Sequence, residues 1–226
     1  MASFLICHGA WSAGWAWKKL RPILRDAGHE IFTPSYTGLG ERAHLVHPMI
    51  DLDTHIQDVL GVIECEDLRE LILVGHSYGG MVATGVADRV PGRIRHLVYV
   101  DAFVPGDGQS LNDLTGREPA APLDGWLVPS NPPPPDTASA DLAWIGPRRR
   151  QQPARCFSQK LRLSGEAPPF PRSYIHCTRK PGGDSFARFA ERFRDDPAWR
   201  FHALDASHSP NITAPDALAA LLLPLA

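Results

Sequence analysis

Cysteine is scarce in this chain: Cys7, Cys65, Cys156 and Cys177 stand apart, with no Cys-x-x-Cys pair among them. Four scattered cysteines are too few to staple 226 residues, so a disulfide scaffold is excluded and reduced thiols in a cytoplasmic protein are expected. Long hydrophobic runs are missing as well. The longest apolar stretch, 217–226, is interrupted by Pro224 and falls well short of the ~20 residues a bilayer span needs, so no membrane partner is expected. Residues 1–17 are apolar but hold His8 and Gly9 and lack a basic start and a small-residue cleavage signal, which predicts a buried first strand and not an export signal. Neither sign of charge dominates, with 23 Lys and Arg against 25 Asp and Glu, a net charge of −2 and no basic stripe. Nucleic acid is therefore not an expected partner. No Gly-x-Gly-x-x-Gly or Walker pattern occurs, so no nucleotide cofactor is expected. His44 and His47, with Glu41 nearby, lack a third ligand at a metal-binding spacing and read as a polar loop, so no metal is expected either.

What is present is an alternation. Short apolar runs at 3–7, 30–33, 70–74, 96–100, 173–177 and 200–204 are separated by segments of helical period, the pattern of a parallel sheet covered by helices. The spacing predicts helices over 17–27, closed by Gly28, over 53–65, 80–89 and 184–194, and over 214–223. One region departs from the pattern. Of 22 prolines, 14 fall between Pro105 and Pro181, including four in a row at 132–135, where polyproline II is expected. An irregular insertion of about 105–170 inside one domain reads as a lid, with Trp126, Trp144, Ile145 and Phe157 as apolar anchors.

The chemistry sits in Gly75-His76-Ser77-Tyr78-Gly79, a Gly-x-Ser-x-Gly directly after a strand and before a helix. Small residues let the backbone turn sharply there and lift the Ser77 hydroxyl to the carboxyl edge of the sheet. A serine hydroxyl needs a general base, and that base needs a third group to orient it. Among ten histidines His208 is the candidate, since it follows the last strand and precedes the terminal helix at the same sheet edge. His76 and His202 read as packing groups. An oxyanion needs two donors, for which the amides of Tyr78 and of Ala10, in the loop after the first strand, are placed. Trp11 borders that loop and is expected to contact substrate, whereas Trp15 and Trp17 read as core.

His8-Gly9-Ala10-Trp11, Trp17 to Leu20, Ala27-Gly28-His29, Gly75 to Gly80 and Ala102-Phe103-Val104-Pro105 together resemble the α/β-hydrolase fold enzymes. The nearest branch holds the plant methylesterases and hydroxynitrile lyases and their bacterial esterase relatives. The resemblance is dense over the first 105 residues or so and loose across the proline-rich insertion. It implies a mainly parallel sheet of about six strands with helices on both faces, Ser77 as nucleophile, His208 as base and the Ala10 and Tyr78 amides as oxyanion hole. Hydroxynitrile lyases of this branch look to require threonine where Gly9 stands and lysine where Ser209 stands, which argues against cyanide release.

The acid is the other departure. In the plant relatives an aspartate closely follows the strand matching 173–177, whereas here the chain runs on into Thr178-Arg179-Lys180. Two carboxylates compete for the role. Asp184 follows a short insertion and also has the look of a helix cap. Asp101 ends the neighbouring strand, one strand over, where a carboxylate can reach the same histidine. Arg148-Arg149-Arg150 could attract an acidic group but reads as a solvated face. The expected function is a cofactor-independent serine esterase acting on a small, fairly apolar ester, the alternatives being a ligand-binding protein or a lyase on the same fold.

Overall fold

The computed structural model describes residues 1–116 and 125–226. The strands and helices, in chain order, are β1 (Ser3–Cys7), α1 (Leu20–Asp26), β2 (Glu30–Phe32), α2 (Leu52–Cys65), β3 (Leu71–His76), α3 (Gly79–Arg89) and β4 (Ile94–Val100). Then come α4 (Leu111–Thr115), β5 (Leu127–Val128), α5 (Ser139–Ile145), β6 (Gln152–Pro153) and α6 (Arg155–Ser158). The chain finishes with β7 (Arg172–Cys177), α7 (Ala187–Arg194), β8 (Trp199–Leu204), α8 (Pro210–Thr213) and α9 (Pro215–Leu222).

Six strands form one sheet in the order β2-β1-β3-β4-β7-β8, every pair parallel. Strands buried on both faces show near-continuous apolar runs, and their side chains alternate between two cores. Leu5, Leu73, Tyr99 and Tyr174 face a core closed by α2, α3 and α7, through Ile56, Val59, Met81, Val82, Phe189 and Phe193. Phe4, Ile6, Ile72, Val74, Val98 and Ile175 face the opposite core, closed by Leu20 and Leu24 of α1 and Leu218 and Leu222 of α9. Both faces are thus covered by helices, in agreement with the alternation read from the sequence.

Local chemistry explains several boundaries. α1 starts at Leu20, later than the expected 17, because Gly14–Trp17 forms a 3₁₀ turn first, and Pro22 then falls in the first turn of the helix, where no donor is lost. It ends as expected at Gly28, which has φ 83°; the Gly28 amide donates to Arg25 O and the His29 amide to Leu24 O, a Schellman closure. α2 begins with a capping box between Asp51 and Thr54. β3 is longer than the expected 70–74: Gly75 and His76 still pair with Tyr99 and Val100, so the strand runs right up to Ser77.

The segment between β4 and β7 holds more regular structure than its prolines suggest. Besides α4, α5 and α6, β5 and β6 pair as a small antiparallel ladder. The expected lid includes residues 117–124, which lie outside the described residues, while 131–134 carry neither helix nor strand. α5 is tied to the body through Lys19, whose ammonium binds Asp141 at 2.7 Å and donates to Ile212 O, and through the edge-on pair Trp15–Trp144. No helix among the described residues is long and apolar enough to cross a membrane.

Candidate active site

The sheet order reverses direction at β1, with β2 on one side of it and β3 on the other, and ligands of open parallel sheets bind at such a point, outside the carboxyl ends of the strands. The sequence candidates gather at that edge. Ser77 follows β3 with φ 54°, a left-handed conformation that a non-glycine residue holds only when its surroundings enforce it. The enforcement is visible: the Ser77 amide donates to Val100 O, and the Ser77 carbonyl accepts from Gly80 and Phe103 amides. A Cβ at Gly79 would run into the Cys7 carbonyl, so only glycine lets α3 start this close to β1.

His208 lies beyond β8. Its Nε2 is 3.0 Å from Ser77 Oγ, and its Nδ1 is 2.6 Å from Asp101 Oδ2. A carboxylate only accepts, so Nδ1 carries the proton and Nε2 offers its lone pair to the serine hydroxyl. The Phe186 ring stacks on the imidazole, 4.9 Å between centroids.

Asp101 follows β4 with φ 44° and is fully buried. Its amide donates to Ile175 O at 2.7 Å, and its Oδ1 accepts the Cys177 amide at 3.2 Å. Burial pushes its pKa up, but His208 and Lys180 outweigh burial and hold the carboxyl below the usual carboxylate range. Asp184 is elsewhere: its Oδ2 accepts His176 Nε2–H at 2.7 Å and its Oδ1 accepts the Phe186 amide at 2.8 Å, just ahead of α7.

Trp11 has φ 57°, and its amide donates to Gln152 Oε1 while its indole N–H donates to Val128 O, pinning the loop after β1 to the β5–β6 ladder. Among the described residues the amides of Ala10 and Tyr78 have no protein acceptor. Sequence reasoning missed what holds these two amides. His8 Nδ1–H donates to Gly9 O and its Nε2 accepts the Tyr36 amide, fixing one neutral tautomer beneath the Ala10 loop. His55 Nδ1 accepts from the Tyr78 hydroxyl and Nε2–H donates to Thr37 O, anchoring the side chain below the Tyr78 amide. Burial pushes the pKa of His8 and His55 down to about 3, so both are neutral. His76, read from the sequence as packing, donates through Nε2–H to the His208 carbonyl at 2.7 Å, and burial likewise lowers its pKa to about 3. Buried histidines beside the motif were the available signal, but their partners come from 28 or more residues away in the case of His8 and Tyr36 and 132 in the case of His76 and His208.

These groups open on a cavity of about 430 Å³. Trp11, Trp15, Phe103, Phe157, Phe186 and Ile145 supply much of its wall, so Trp15 lines the cavity against its reading as core, while Trp17 is buried as expected. Of the arginine run, Arg149 also lines it, donating to Asn131 O with its Nε unpartnered among the described residues, whereas Arg148 and Arg150 are exposed. No cluster of metal-ligating side chains occurs among the described residues. At Gly9 a Cβ would sit 3.0 Å from His76 Nδ1, which leaves little room for a larger side chain there.

Residues 4–221 match the model of the alpha/beta hydrolase family. A carbendazim hydrolyzing esterase from Nocardioides sp. (strain SG-4G) is 38% identical over an alignment that covers 100% of both chains. Among solved structures, an extracellular alpha/beta-hydrolase from a Paenibacillus species is 25% identical with a TM-score of 0.81, covering 100% of this chain and 99% of that one. A methylesterase from Arabidopsis is 25% identical with a TM-score of 0.79, covering 99% and 98%.

Proposed function

The chain belongs to the alpha/beta hydrolase family, and from that premise we propose that it is a serine carboxylesterase with Ser77 as nucleophile, His208 as base and Asp101 as acid. The observation that carries the reading is the unbroken hydrogen-bonded run from Ser77 Oγ through both ring nitrogens of His208 to Asp101, opening on a cavity with aromatic side chains in its wall. Ser77 Oγ attacks the ester carbonyl as His208 Nε2 takes its proton. The Ala10 and Tyr78 amides receive the developing oxyanion. His208 then protonates the leaving alcohol, and a water activated by the same imidazole releases the acid from the acyl-enzyme. Asp101 keeps the imidazole in the useful tautomer and stabilises it while charged.

The cavity's size and aromatic walls suit a small, fairly apolar ester, the class to which Trp11 contributes contact surface. The segment 105–170 serves as its lid, since Leu111, Val128, Ile145 and Phe157 of that segment face the cavity. Four free cysteines, three of them buried, suit a cytoplasmic location. A ligand-binding role would be favoured by an imidazole without its carboxylate, and His208 has one.

Hydrolysis of p-nitrophenyl acetate and butyrate tests the reading. Turnover on the order of one per second is expected from the wild type and none above background from Ser77→Ala. Asp101→Asn lowers kcat by roughly 10³ to 10⁴ by presenting the wrong tautomer, whereas Asp184→Asn stays within about tenfold of the wild type. A wild type no faster than Ser77→Ala would end the esterase reading.

A further inference from the structure

One charged side chain at the site has no part in that reaction scheme. Lys180, only 12% exposed, hydrogen-bonds Oδ2 of Asp101, the same oxygen that takes Nδ1–H of His208. It arrives there because the chain leaving β7 stays beside the end of β8, with the Thr178 amide on Leu204 O and the Arg179 amide on Ala206 O. Its ammonium lies 4.9 Å from the centre of the Phe186 ring and 3.7 Å from Asp184 Oδ1. Asp184, itself held by His176 and the Phe186 amide, therefore faces Lys180 and not His208.

We propose that Lys180 is a positioning residue that acts through Asp101, holding the buried carboxylate fixed and ionised while offsetting part of the negative charge that would otherwise stabilise protonated His208. The inference rests on the esterase reading. A carboxylate facing an imidazole favours the imidazolium, and a cation on the same oxygen opposes it. His208 faces Asp101, Ser77, the neutral His76 ring at 5.0 Å and the apolar Phe186 face; Lys180 faces Asp101, Asp184 and Phe186. Arg179, the nearest other cation in sequence, is turned away onto Asp136 and Asp205. Among the described residues Lys180 is thus the cation that shares Asp101 with His208, placed to oppose the imidazolium that the carboxylate favours.

The test is the pH dependence of kcat/KM on p-nitrophenyl butyrate. Lys180→Gln and Lys180→Met are expected to move the acid limb up by roughly one pH unit, which costs about tenfold at the foot of the limb relative to each variant's own plateau. Lys180→Arg, which keeps the charge, is expected to restore the wild-type limb. A merely structural lysine would lower the plateau and leave the limb where it was, and that outcome overturns the proposal. NMR titration of the His208 ring reads the same linkage without turnover, so it separates this inference from the esterase reading: a midpoint raised in Lys180→Gln supports it even if no ester is cleaved, and an unmoved midpoint sinks it. If neither neutral variant folds, the Lys180 Nζ resonance of the wild type decides, by following the His208 titration or by ignoring it.

Discussion

At the scale of single residues, the site depends on hydrogen bonds that reach the reacting atoms through an intermediary. His76 is the clearest case. It stands next to Ser77 in sequence, yet its Nε2–H supports the backbone of His208, 132 positions away. His76→Ala leaves the His208 carbonyl without that donor and opens space beside the ring, and a displacement of even about 1 Å in a reacting group costs on the order of 10²-fold. We expect kcat for p-nitrophenyl butyrate to fall roughly 10- to 100-fold with KM little changed, and His76→Gln, which keeps a donor, to recover part of the loss. A change confined to KM would show that His76 touches substrate instead. The same residue-scale logic separates the two aspartates that the sequence left in competition. Asp101 was eligible as a strand-end carboxylate and Asp184 as one that follows a short insertion after the neighbouring strand, and what distinguishes them is direction: Asp101 points inward beneath His208, and Asp184 turns toward His176 and Lys180.

At the scale of elements, the turn from β3 into α3 is the most demanding feature. The strand keeps its ladder through His76, the next residue is left-handed, and the helix begins two residues later. That geometry leaves no room for a Cβ at Gly79, where the opposing atom is backbone of β1 and not a flexible side chain. Gly79→Ala is expected to destabilise the fold by about 3 kcal/mol or to displace the Ser77 turn, seen as a lower urea midpoint together with lost esterase activity. Unchanged stability and activity would mean that β1 yields easily. The Gly-x-Ser-x-Gly spacing made this turn legible from sequence, because strand, turn and helix are all local. The proline-rich insertion was not legible in the same way: its short helices and the β5–β6 ladder are held by tertiary partners such as Lys19 and Trp11, not by their own periodicity.

At the scale of the whole molecule, three of the buried imidazoles, those of His8, His55 and His76, are held neutral, each lowered from 6.5 to about 3. In the unfolded chain these histidines take up protons near pH 6.5, whereas the folded protein refuses them until about pH 3. The stability they allow is full above pH 6.5 and drains away as the pH falls toward 3, by about 1.4 kcal/mol per pH unit for each fully uncoupled imidazole. The melting temperature is therefore expected to drop steadily from pH 7 to pH 4. A level melting temperature from pH 7 to pH 5 would contradict the neutral burial of these rings.

What the sequence determined by itself is what depends on neighbours along the chain. The alternation of strands and helices, both covered sheet faces, the Schellman end of α1 and the sharp turn at Ser77 all follow from residue order within a few positions. The place of His208 was also within reach, because the last strand before the terminal helix leaves one loop for it at the same sheet edge as Ser77. Tertiary structure alone decided the rest. Which aspartate pairs with His208, why Lys180 shares that carboxylate, and how His8, His55 and His76 fix the Ala10 and Tyr78 amides and the His208 backbone depend on side-chain directions between segments up to 132 residues apart. Such directions are set by the twist and register of the assembled sheet, which no local pattern encodes.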